Sequence, residues 1–97
     1  MDRGLIEGIA DYIRFRAGMV DPGWKWQQHC QAKCWNAGYM DTAAFLVFIE
    51  DRLGRKDFVS RLNEFCRQSE WSESHFQTLT GISLVQLWTD FSEISNE

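Results

Sequence analysis

Positive charge is scarce in this chain: 10 Lys and Arg stand against 14 Asp and Glu, for a net charge of −4 and an isoelectric point near 5.1. A nucleic acid or an anionic membrane would need a basic footprint, so neither is expected as the main partner. No stretch approaches the ~18 consecutive apolar residues of a membrane span. The start, Met1-Asp2-Arg3-Gly4-Leu5, lacks the basic and apolar regions of a targeting signal. The expectation is a soluble chain whose localisation its own residues leave open. Cysteine is sparse as well. Cys30, Cys34 and Cys66 make an odd count, which demands no disulfide framework and leaves at least one thiol unpaired. Alternation of period two is nearly missing and no internal repeat appears, which argues against an all-β fold or a repeat array.

What remains is a chain of 97 residues, 44% hydrophobic and 14% aromatic, enough for one core and one domain over residues 1–97. Its apolar spacing is helical almost throughout. The first helix runs from Leu5 through Ile6, Ile9, Ala10, Ile13 and Ala17 to a stop at Gly18. A long connection follows from Met19 to Gly38, with a short helical turn around Gln28 to Cys34. Asp41 or Thr42 caps the second helix, which carries Ala44, Phe45, Phe48 and Ile49 to Gly54. Asp57 caps the third, with Phe58, Leu62, Phe65 and Cys66 inward, and Ser69 to Ser72 break it. A short fourth helix begins at Ser72 or Ser74 and ends at Gly81. Ser83 and Gln86 form a capping box for the last, which carries Leu84, Leu87, Trp88 and Phe91 before a frayed tail from Ser92. The fold class is all-α, a compact bundle of four to five helices. Its expected core is Leu5, Ile9, Ile13, Phe45, Phe48, Leu62, Phe65, Leu87, Trp88 and Phe91.

One pair is not accounted for by helix propensity. Glu7 and Asp11, four apart on the first helix, repel each other, and Gly8 between them costs helix stability. Either a solvated acidic stripe or a cation and a close-packed neighbour would make sense of them.

The surrounding segment, Gly4-Leu5-Ile6-Glu7-Gly8-Ile9-Ala10-Asp11-Tyr12 with Arg14 and Ala17-Gly18, resembles the GLIEGIADYVRLKAG segment of the plant basic secretory proteins. These and their bacterial and fungal relatives are regarded as zinc metallopeptidases. Trp35 with Gly38-Tyr39 and Thr42-Ala43-Ala44-Phe45-Leu46 is similar to the family's W-x-x-GY-x-x-TA-x-FL. Gly81 with Val85-Gln86-Leu87-Trp88-Thr89-Asp90-Phe91 is similar to its G-x-x-x-x-QLW-x-DY. Three ordered motifs cover almost the whole chain.

The resemblance implies that Glu7 is a zinc ligand and that Asp11 orients a ligating histidine from the outer sphere. It places Tyr39 beside the active site, where a phenol could donate to an oxyanion or a substrate carbonyl; the alternative is a half-buried tyrosine bonded to the backbone. Trp24, Trp26 and Trp35 in the long connection are candidates to line a substrate groove, or else to serve as core and lid. The family's His-Glu-x-x-His is absent from all 97 residues, and in the family it lies upstream of the matched segment. Two readings follow. The chain is the C-terminal helical segment of such a metallopeptidase, inactive alone and partnered by an N-terminal metallopeptidase half. Alternatively it is a stand-alone helical binding protein for a peptide or protein ligand. Zinc belongs to the complete family protein, with none expected to bind this chain tightly. His29, Cys30 and Cys34 lack a fourth ligand of obvious spacing. Cys30 and Cys34 are either free or bridged, since the family is largely secreted. Cys66 reads as core and His75 as exposed.

Overall fold

A computed structural model describes residues 2–30, 32–68 and 71–94. Among them are five α-helices and no strand: α1 (Arg3–Arg16), α2 (Tyr39–Val47), α3 (Phe58–Gln68), α4 (Ser74–Thr80) and α5 (Leu84–Ser92). A 3₁₀ turn, Trp26–His29, punctuates the long connection, and a π-helical turn, Phe48–Arg52, prolongs α2. The all-α bundle expected from apolar spacing is what forms.

Asp2 starts α1 two residues earlier than the apolar pattern indicates. One carboxylate oxygen accepts from the Leu5 N–H at 3.0 Å and the other from the Asn36 side chain at 2.9 Å, so the cap also fastens the connection. Leu5 and Ile9 then point inward, but Ile13 is 56% exposed, against its placement in the core. Each i+4 step overshoots a helical turn, so eight residues past Leu5 the side chain lies about 80° round the axis and off the buried stripe. The second helix also begins before its expected caps. Gly38 is its N-cap residue, so Asp41 and Thr42 fall inside its first turn, where their side chains serve other partners.

Phe45 is the centre of the core. Its ring lies within 6.5 Å of Phe48, Phe76, Trp88 and Phe91, and Leu62 and Leu87 are fully buried around it. Cys66 and Trp88 pack at its edge, half-buried, and Phe65, also half-buried, lies against His75. His75 is buried, a correction to its expected exposure. The residue lies with Phe76 on the inner side of α4, opposite the exposed Gln77 and Thr78, and its ring lies 4.2 Å from Phe65 and 5.6 Å from Trp71. At α5 the Ser83 hydroxyl accepts from the Gln86 N–H at 3.1 Å. The box is half made, because the Gln86 amide turns to Asp90 instead. The expected break over Ser69 to Ser72 and the tail beyond Ile94 fall wholly or partly outside the described residues.

Glu50 is a buried carboxylate at the π-helical turn, 3% exposed. One oxygen accepts from the Tyr12 hydroxyl and from Arg16 at 2.9 Å, and the other accepts from the Val59 N–H at 2.9 Å. Arg16 is shared with Asp51 at 2.7 Å, and that bond, above the Glu50 one, pushes its guanidinium further above the ordinary arginine value. Burial, then the hydrogen bond to Glu50, pushes the Tyr12 phenol above its ordinary value. An unfolded tyrosine ionises first as the pH climbs, so this contribution is complete below about pH 10 and is lost above it. Denaturant unfolding between pH 8 and 11 should show a steeper loss of stability for the wild type than for Tyr12→Phe, which starts weaker at pH 8. Parallel curves would contradict the role given to this phenol.

Candidate functional site

The face of α1 that meets α2 is built from glycine. A side chain at Gly4 would run into the Asn36 carbonyl oxygen at 2.0 Å, and one at Gly8 into the Thr42 methyl at 2.3 Å. A close-packed neighbour therefore explains Gly8, and the neighbour is α2. Thr42 is fully buried at this crossing. Its hydroxyl accepts from the Gly38 N–H at 2.7 Å and donates to the Trp35 carbonyl at 2.9 Å, closing the long connection onto the start of α2.

Glu7 lies over that closure. Its Oε1 sits 2.6 Å from where a side chain at Gly38 would begin, and the Gly38 φ of +92° is what favours glycine there. The carboxylate thus lies near the amino end of α2, where the helix dipole favours negative charge. Arg3 approaches it at 3.8 Å, and the Glu7 side chain keeps 27% of its surface exposed. Asp11 is more enclosed, its side chain 11% exposed and paired with Arg14 at 3.2 Å. The two carboxylates repel less than their spacing indicates, because each has its own arginine.

Tyr39 follows Gly38 directly and is 64% exposed, with φ +50°. It is the one non-glycine among the described residues in the left-handed region, which costs a bulky side chain ~1–2 kcal/mol. The phenol stands in solvent at the same end of α2 as Glu7, not half-buried against the backbone. The tryptophans turn inward. Trp26 packs on Phe48 and Phe91, Trp35 on Phe76 and Trp71, and Trp24 on Phe15 at 4.7 Å.

Trp24 also donates its indole N–H to His29 Nε2 at 2.8 Å. An indole can only donate, so Nε2 is the acceptor, and Nδ1 carries the proton given to Asp41 at 2.7 Å. This Trp–His–Asp chain had no sequence signal, because Asp41 lies twelve residues beyond His29 across irregular backbone. The three cysteines are unpaired: Cys30 is buried and Cys34 exposed. Burial pushes the Cys30 and Cys66 thiols up, away from the thiolate a metal requires.

Zinc takes three or four protein donors. Among the described residues no three of His, Cys, Asp and Glu are grouped to hold a metal. Both ring nitrogens of His29 are engaged and Asp11 faces Arg14. The donors among the described residues do not group into a zinc site, and Glu7 is a single carboxylate among them.

A family model described as peptidase of plants and bacteria matches residues 1–91. The chain belongs to the basic secretory protein family. No curated protein and no solved structure matches it. All three motifs that resemble this family fall inside the matched span, and the first two meet physically where Gly8 touches Thr42 and Glu7 touches Gly38.

If Gly8 is there for contact, Gly8→Ala should lower stability although alanine favours a helix by ~1 kcal/mol. Chemical denaturation of the variant tests this. An increase in stability of that size would mean that α1 and α2 lie further apart than described.

Proposed function

We propose that this chain is the helical segment of a basic-secretory-protein-like zinc metallopeptidase. In this reading Glu7 supplies one metal ligand, Asp11 orients a ligating histidine carried outside these 97 residues, and Tyr39 donates to the substrate carbonyl or its oxyanion. The observation that carries it is how differently the chain treats its carboxylates. Glu50, a structural acid, is saturated by three donors. Glu7 reaches over Gly38, which has no side chain to displace it, and has only a loose contact with Arg3, whose side chain is 91% exposed. A carboxylate positioned but left unsatisfied suits a ligand that arrives from elsewhere.

The surroundings support an incoming protein segment. Ile6 and Ile13 are 50% and 56% exposed and share one side of α1 with the exposed Ala10 and Ala17. Together with the exposed Tyr39 they flank Glu7 with apolar surface that a second segment would cover. One carboxylate can neither hold zinc tightly nor ionise its bound water, so the chain by itself is expected to cleave no peptide bond.

Calorimetric titration with zinc, paired with a casein digestion assay, tests this reading. The chain alone should bind weakly and digest nothing. Mixed with the His-Glu-x-x-His-bearing half of a family member, it should raise zinc affinity above that of either part, and Glu7→Gln should remove the gain. Tight one-to-one binding by the chain alone, or a gain indifferent to Glu7→Gln, would overturn the assignment.

A further inference from the structure

Two adjacent cavities of about 430 and 220 Å³ form a grooved surface along α3 beside α4, and Arg61 and Leu79 line both. Its walls are apolar where they meet the core: Phe65 and Leu79 are half-buried and Phe58 is buried. Its charged residues run against the rest of the molecule. Arg55, Lys56, Arg61 and Arg67 outnumber Asp57 and Glu64 on a chain whose net charge is −4. Two of the cations are occupied, Arg67 by Glu64 at 3.1 Å and Arg55 by the Thr80 carbonyl at 3.2 Å. Lys56 and Arg61 have no carboxylate of the described residues within ion-pair distance.

We propose that this groove docks an acidic peptide segment bearing an apolar side chain. The apolar group would rest on Phe65 and Leu79, and flanking carboxylates would pair with Lys56 and Arg61, whose charge no described carboxylate neutralises and which is the complement that selects such a partner. Asp57, at one end, sets a limit on how many acids the segment can present. An anionic bilayer fits less well, because the cations line a concavity and the acidic remainder of the chain would face the lipid. The inference does not depend on the zinc reading, which concerns α1 and the start of α2.

The test uses fluorescence anisotropy with labelled Gly-Glu-Leu-Asp-Phe-Glu-Gly in low salt. Binding should weaken with added salt, and should fall about tenfold or more in the Lys56→Glu, Arg61→Glu double variant. A Lys25→Glu, Lys33→Glu double variant makes the same charge change on the long connection and should bind within about twofold of wild type. Circular dichroism verifies that both variants fold, with Arg61→Ala as the milder substitute. The same probe with its acids changed to lysine should not bind, and Gly-Glu-Gly-Asp-Gly-Glu-Gly should bind clearly less tightly. Equal losses in both double variants, or equal affinity for the probe without apolar residues, would overturn the proposal. So would capture of the chain by phosphatidylserine vesicles with the same dependence on Lys56 and Arg61, which would assign the groove to membrane.

Discussion

The buried carboxylate of Glu50 constrains the arrangement of the helices. An acid taken out of water is tolerable only with its hydrogen-bonding capacity filled. Here the donors come from two other elements: the Tyr12 hydroxyl and the Arg16 guanidinium of α1, and the Val59 N–H in the first turn of α3. The π-helical turn is where this acid leaves α2 and faces both neighbours. Sliding or rotating α1 would strip Glu50 of two donors at once. The far end of α1 is thus held in register with α2, and the near end, with Glu7, inherits that register.

The near end is set by contact rather than by hydrogen bonds alone. Gly4 and Gly8 let the backbone of residues 36–43 come close, and dispersion at that crossing replaces what alanine would have contributed to the helix. The sacrifice of helix propensity places the Glu7 carboxylate against Gly38 and the amino end of α2. Tyr39, in left-handed backbone one residue on, adds a second local cost at the same place. Strain and lost propensity gathered around one incompletely used acid are the local costs on which the proposed role of Glu7 rests.

Much of this was legible in the residues. Helical spacing found all five helices, and the Ser83 cap and the Gly18, Gly54 and Gly81 stops are where turn chemistry puts them, each glycine with positive φ. Ile13 was misplaced because apolar identity says nothing about which side of a stripe drifts outward. His75 was misplaced because a polar side chain can be buried by aromatic neighbours outside its own helix, here Phe65 and Trp71. Gly8 and the Glu7–Asp11 pair stood out as locally unfavourable, and that local conflict was the useful signal. Glu50 left a fainter one, an acid closing the apolar run from Phe45 to Ile49. The Trp24–His29–Asp41 chain left none, since it is assembled by the path of an irregular connection.

The central proposal, that Glu7 is held ready for a metal whose other ligands lie outside these residues, has a direct structural readout. X-ray absorption at the zinc edge, on the chain combined with a family member's His-Glu-x-x-His-bearing half, reports the donor atoms around the metal. A carboxylate oxygen at about 2.0–2.2 Å, alongside imidazole nitrogens, should be present with wild type and absent with Glu7→Gln. A coordination shell unchanged by that substitution would contradict the metal role of Glu7.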